Sequence, residues 1–222
     1  MASPGEHPAA DGPKGERHRN GRAALRRAIK LGPWRLTVFA GPMRSGKSAV
    51  LISRLAQYQY ANLSIHVFYP AVDVRTSPGE IASRLGIRAA AHPIHSPREV
   101  LDLLPENADV VAIEEAELFD AGELMAVIRQ LIRTGVQLLV AGLDLDFAER
   151  PFGAMAELCA MADRVEKLTA VCARCGSAFA TRTQRLVNGR PAGLESPAVL
   201  VEGTVDEVTY EARCHFCYQP PA

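Results

Sequence analysis

The chain has 222 residues, 48% hydrophobic and 23% charged, a balance that excludes global disorder and fits one domain or one domain with a small appendage. Its longest apolar run, Leu138 to Leu143, is far short of the ~20 residues a membrane helix needs, and no apolar secretory core opens it, so a cytoplasmic location and no membrane partner are expected. Formal charge is zero, but residues 1–34 carry seven basic and three acidic side chains, leaving 18 basic and 22 acidic residues elsewhere, a balance that argues against nucleic-acid binding by the folded part.

Residues 1–34 read as a flexible basic extension, in which Leu25 and Ile29 allow a short helix before Pro33. Arg35–Ala40 is a short β-rich run, followed by a Gly-rich turn and a helix from Ser48 to about Tyr60 with Leu51, Leu55 and Tyr58 at helical spacing. Ile65–Tyr69 reads as the next strand, and Ser77–Gly86 and Ser96–Leu104 read as helices. His92 and His95 fall in a connecting loop. Asp109–Ile113 is a strand of the fully buried type, Gly122–Thr134 a helix stopped by Gly135, and Val136–Ala141 another buried strand. A helix over Phe152–Met161 and a short strand over Arg164–Leu168 follow. Strands alternating with helices predict a parallel sheet covered on both faces. From Val171 the composition changes to cysteines, turns and short β segments, so the expected division is 1–34, 35–170, 171–218 and a tail of 219–222.

Three motifs carry chemistry. Gly41-Pro42-Met43-Arg44-Ser45-Gly46-Lys47-Ser48 matches G-x-x-x-x-G-K-[ST] between a strand and a helix, the setting in which backbone N–H groups curl around phosphates. Lys47 then reaches the β/γ-phosphates and the Ser48 hydroxyl ligates Mg²⁺ that arrives with ATP. At the end of the DVVAI strand stand Glu114, Glu115 and Glu117. Glu114 suits the metal, and two readings stand for Glu115: a base for a substrate hydroxyl, or a solvated strand end. Finally, Cys172-x-x-Cys175 and Cys214-x-x-Cys217, 38 residues apart, supply the four thiolates of a closed structural zinc site. Cys159 reads as a core residue, His215 as solvent-facing, Arg129 and Arg133 as a solvated helix face, and Arg150 as either surface or phosphate-facing.

Taken in order, GPMRSGKS, Asp73-Val74-Arg75, IEEAELF, AGLDLDF, RPFG, KLTAVCARCG, ATRTQRLVNGRPA and YEARCHFCY resemble the type II thymidine kinases over about Leu36 to Tyr218. The resemblance implies a RecA-like α/β P-loop domain with a small C-terminal zinc-held lasso, and transfer of the ATP γ-phosphate to a deoxynucleoside such as thymidine. It implies Glu115 as the catalytic acid that takes the 5′-hydroxyl proton, and Asp73 and Arg75 beside the reacting phosphate. It places Met43, Leu118, Leu143, Phe147 and Phe152 in the base pocket, with Thr183, Val199, Val201 and Tyr210 on the lasso. A homotetramer and inhibition by dTTP are further implications.

The chain departs from the family pattern at five places: Glu114 for Asp, Glu117 for Gln, Leu118 for an aromatic residue, Ala49 for Thr, and a Gly203–Tyr210 stretch about two residues longer. They leave open a different deoxynucleoside acceptor, or a nucleotide-sensing module without turnover. A zinc-ribbon ATPase driven by nucleic acid is disfavoured by the charge balance and the lack of an aromatic–basic stripe.

Overall fold

The computed structural model describes residues 31–75, 77–200 and 208–221. Residues 34–222 form one compact unit. The short helix expected around Leu25 and Ile29 lies outside the described residues, as does most of the 1–34 extension.

Six strands make the main sheet: β1 (Leu36–Ala40), β2 (Ile65–Pro70), β5 (His92–Ile94), β6 (Val110–Ile113), β7 (Gln137–Gly142) and β8 (Arg164–Lys167). Their order is β5-β2-β6-β7-β1-β8 and every pairing is parallel. β1, β6 and β7 are buried along their whole length, which is why they read as continuous apolar runs rather than alternating ones. One face is covered by α1 (Lys47–Tyr60) through Leu51, Ile52 and Leu55. The main core lies where α3 (Ala121–Thr134) turns Leu124, Val127, Ile128 and Leu131 onto Val38, Val111, Ile113, Leu138 and Val140. Each such side chain contributes roughly 1.5–3 kcal/mol by leaving water. Asp120 caps α3 by accepting from the Glu123 N–H at 2.9 Å, and Gly135, at φ 82°, closes it.

Four sequence expectations are corrected. Ser77–Gly86 is no helix but part of an antiparallel hairpin, β3 (Glu80–Ala82) with β4 (Arg88–Ala90). Gly79 and Gly86 both adopt positive φ, so the Ile81/Leu85 spacing that suggests a helix is cut on both sides, and Leu85 is exposed. The helix expected over Ser96–Leu104 shrinks to α2 (Glu99–Leu103), because Glu99 accepts from the N–H groups of His95 and Ser96 and Leu104 is extended before Pro105. His92 belongs to edge strand β5, not to a loop. The helix expected from Phe152 starts later, as α4 (Met155–Met161), since Gly153 sits at φ 51° and releases Phe152 toward a cavity. Cys159 packs against the core as expected, and Arg150 and His215 are exposed. Arg129 is exposed and pairs with Glu157.

The C-terminal part is a second, antiparallel sheet: β9 (Arg182–Val187) flanked by β10 (Arg190–Pro191) and β11 (Val208–Arg213). The register Arg182↔Arg213 brings the residues before β9 beside those after β11 and so joins the two CxxC pairs.

Candidate active site and metal centre

Because all six strands run the same way, their C-terminal ends share one edge, where ligands bind in open α/β sheets. The 41–48 loop leaves β1, Asp73 and Arg75 follow β2, Glu114 and Glu115 follow β6, and Leu143 follows β7. Sequence positions 70 residues apart thus meet in one cleft of about 970 Å³, lined by Met43–Ser48, Asp73, Arg75, Glu114 and Glu115 and walled by the β3–β4 hairpin with Arg84 and Arg88. Of the loop's predicted residues, Gly41 and Pro42 serve through their carbonyls: the Lys47 ammonium donates to them at 3.1 and 2.9 Å. Burial pulls the Lys47 pKa down, opposed by Glu115, Glu117, Glu114 and Asp144.

Arg75 is the clamp of this cleft. Its guanidinium reaches Asp73 at 2.6 and 2.7 Å and Glu115 at 2.6 Å. Burial would lower its pKa, but the charge of Glu115 and the bonds and charge of Asp73 raise it. Glu115 itself sits at φ 49°, a left-handed conformation rare for a residue with a Cβ, as the chain turns into the 3₁₀ segment Ala116–Leu118. Burial pushes its carboxyl up, yet Arg75, a hydrogen bond with Glu117 and the charge of Lys47 hold it down at about 2. Burial and the charge of Glu115 push Glu114 up to about 7 despite a hydrogen bond with Ser48. Two adjacent carboxyls therefore differ in role: Glu115 is a persistent anion, and Glu114 is a buried acid beside the Ser48 hydroxyl.

A smaller cavity of about 50 Å³ adjoins the cleft, and eight of the nine predicted nucleoside residues line it: Met43, Leu118, Leu143, Phe147, Phe152, Thr183, Val199 and Tyr210. The ninth, Val201, and most of the stretch from Gly203 lie outside the described residues. Met43, Leu143, Val208 and Tyr210 pack as one buried cluster with Phe152, Val187 and Leu200 against it. Thr183 faces the loop as well: its hydroxyl accepts the Met43 N–H at 3.0 Å, tying β9 to the phosphate loop.

Sequence reasoning misses Arg185, which is 2% exposed and central to this cavity. Its guanidinium stacks on Phe147 at 4.0 Å, donates to the Tyr210 hydroxyl at 2.8 Å and the Ser196 hydroxyl at 3.0 Å, and reaches the carbonyls of Pro197 and Ala198. A signal exists: Thr183 and Arg185 share one face of β9, so the apolar-side position holds a cation that needs internal partners.

The four cysteine sulfurs of Cys172, Cys175, Cys214 and Cys217 lie within 4.8 Å of one another. Cys175 and Cys214 are 3.7 Å apart, close to the edge of a tetrahedron with ~2.3 Å zinc–sulfur bonds. Burial pushes the Cys172 thiol up, but backbone N–H groups of Cys214, Cys175 and Arg174 pull it down to about 6. Soft donors, closed geometry and amide-stabilised sulfur all fit zinc in a structural role. The hydrophobic cluster here is only Ala170, Cys172, Ala180, Ala212 and Cys214 with Cys217, too small to hold a lobe by itself.

Comparison with known proteins agrees. The thymidine kinase family model matches residues 34–218. Thymidine kinases of two strains of Chloroflexus aurantiacus are each 43% identical over 188 residues, covering 84% of this chain and 95% of the relative. With phosphate loop, acidic strand end and cysteine cluster in place on a six-stranded parallel sheet, the chain belongs to the thymidine kinase family, ATP-dependent kinases of nucleotide salvage.

Proposed function

We propose that Glu115 takes the proton of the thymidine 5′-hydroxyl as that oxygen attacks the γ-phosphorus of ATP. One observation carries the reading: Met43, Arg75 and Glu115 line both cavities. An acceptor hydroxyl arriving from the apolar side and a terminal phosphate arriving from the loop side meet at the Glu115 carboxyl. A base must be anionic at working pH, and Arg75 and Lys47 keep this one so.

The 41–48 backbone cradles the phosphates, and Lys47 exchanges its two loop carbonyls for β/γ-phosphate oxygens. Arg75 is placed to stabilise charge on the transferred group while it fixes Glu115. Ser48, Glu114 and Asp73 offer hard oxygen donors in the cleft, which fits Mg²⁺. When bound, magnesium neutralises charge on the β- and γ-phosphates.

Phe147 and Phe152 give a pyrimidine its apolar walls, with Thr183, Val199 and Tyr210 on the lasso side. At about 50 Å³ the cavity is well below the ~300 Å³ of an ordinary ligand pocket, so binding displaces the Ala198–Leu200 segment outward. Arg185 stacks on Phe147 and bonds Tyr210, two walls of the cavity, so Arg185→Met is expected to raise KM for thymidine about 10- to 100-fold while KM for ATP moves little. Steady-state kinetics with each substrate varied in turn check this.

Phosphorylation of a panel of deoxynucleosides tests the assignment. Thymidine turnover is expected, with deoxyuridine poorer by about 10- to 200-fold, the range one methyl supplies in an apolar pocket. ATP binding without turnover on any nucleoside refutes it. The proposal extends to a cytoplasmic homotetramer inhibited by dTTP, supported by family membership and by reduced cysteine pairs suited to metal. Light scattering and a dTTP titration measure the last two. No helix among the described residues is long and apolar enough to cross a membrane.

A further inference from the structure

Glu117 has no part in the mechanism above, yet it is only 2% exposed and faces the site. Neither of its carboxyl oxygens meets a hydrogen-bond donor among the described residues. The backbone holds it there tightly. A Cβ on Gly153 would lie 2.5 Å from the Glu117 carbonyl oxygen, and a Cβ on Gly142 2.6 Å from the Glu117 Oε2. Glycine at both positions is what lets the side chain lie on the floor of the site, against the end of β7. Its carboxyl lies within hydrogen-bonding reach of the Glu115 carboxyl. Two carboxylates have no proton to share, whereas an acid and a carboxylate form a short, strong bond.

We propose that Glu117 is a positioning residue: as a neutral carboxylic acid it donates its proton in a hydrogen bond to Glu115 and fixes that carboxylate as the base. The charges around it support one proton for the pair. Glu115 faces Glu117 from its own segment, Lys47 from α1, Arg75 from the loop after β2, and Asp144 and Asp146 from the loop after β7. Burial and the charge of Glu115 raise the Glu117 pKa well above that of an ordinary carboxyl, and Lys47 offsets this only in part. The proton ledger is simple. O5′–Pγ forms, the bond from Pγ to the β–γ bridging oxygen breaks, and the 5′-hydroxyl proton moves to Glu115. Glu117 keeps its own proton throughout, and Glu115 returns the acquired one to solvent after product leaves.

Loss of the Glu117 proton puts a second anion beside Glu115 and the incoming γ-phosphate, removes the donor, and draws Lys47 away from the nucleotide. Turnover therefore falls at alkaline pH. The inference rests on Glu115 as the base, and the tests separate the two claims. The first readout is the infrared C=O stretch of protonated carboxyls at neutral pH: Glu114 contributes a band that persists in Glu117→Gln, and a second band, present in the wild-type protein, is absent in Glu117→Gln, which needs no turnover. The second is kinetic: Glu117→Met, similar in shape without a donor, lowers kcat about 10- to 100-fold with the ATP KM little changed, and Glu117→Gln restores most of that loss because an amide donates at any pH. The third is the profile of kcat from about pH 6 to about pH 10, whose alkaline fall moves up by about one unit or more in Glu117→Gln. A missing second infrared band, a Met variant with wild-type turnover, or an alkaline fall unmoved in Glu117→Gln, which assigns it to Lys47, overturns the proposal. If Glu117→Met does not fold, the Gln profile and the infrared band decide. Full turnover in Glu115→Gln sinks the base itself, whatever Glu117 does.

Discussion

Replacing Glu115 by Gln is expected to lower kcat for thymidine by about 10²- to 10⁴-fold while leaving ATP binding intact or slightly tighter. The amide keeps the shape of the side chain, and its carbonyl oxygen still accepts from Arg75, so the left-handed turn at φ 49° stays held. What disappears is the anion. Wild-type Glu115 is held at about 2 by Arg75, Glu117 and Lys47 against a burial that pushes it up, so across the ordinary pH range it is an anion with a lone pair that can take a proton. Gln has no such capacity at any pH. The loss therefore appears in kcat and in kcat/KM for thymidine together, the pattern of an interaction made in the transition state. Removing one negative charge from a cleft that also holds Asp73 and Glu114 favours an anionic nucleotide, which sets the direction of the ATP effect. Steady-state kinetics and calorimetric ATP titration measure both parts. Loss of ATP binding in step with turnover would show instead that Glu115 maintains the cleft rather than the chemistry.

Much of this site is legible in the sequence because its parts are local. The phosphate loop, the acidic run and the CxxC pairs are contiguous motifs, each fixed by what a few adjacent residues can do with a phosphate or a metal. The buried strands are equally plain, since a strand covered on both faces has no polar alternation to confuse. Legibility fails where structure depends on partners far away. The stretch around Ile81 carries helical spacing, but Gly79 and Gly86 at positive φ make it a hairpin. Phe152 reads as the start of a helix, yet Gly153 must approach the Glu117 backbone closely, and that contact is set by the tertiary fold. Arg185 is the clearest omission: its value lies in Phe147, Tyr210, the Ser196 hydroxyl and the carbonyls of Pro197 and Ala198, none within eight residues of it. Glu117 reads as a mere extra charge, because burial and two glycines decide its chemistry.

Stripping the metal from the cysteine cluster is expected to abolish thymidine turnover, by about 100-fold or more, while ATP binding falls far less. The reason is the size of the cluster beneath the lasso sheet, which is mostly alanine and the cysteines themselves. A structural zinc supplies on the order of 10 kcal/mol in comparable small lobes, more than those few alanine side chains offer on burial. Without it only a few backbone hydrogen bonds, such as those of Ala173 to Ala212 and Thr181 to Arg213, tie the residues before β9 to the end of β11 among the described residues, and the Arg182↔Arg213 register loosens. Thr183, Arg185 and Tyr210 then lose their places together, taking one wall of the nucleoside cavity with them. The phosphate loop loses the Thr183 hydroxyl on the Met43 N–H and the packing of Met43 on Val208 and Tyr210, while β1, α1 and Lys47 build the rest. The same split is expected of Cys214→Ser, whose sulfur is buried, and of Cys175→Ser, whose residue is exposed, since a four-thiolate site is broken by either. Zinc release monitored by a chelating dye, in parallel with turnover and ATP titration, makes the comparison. Zinc-free protein with full turnover would detach the metal from the site; equal loss of both activities would mean that the lobe and the parallel sheet fold as one cooperative unit.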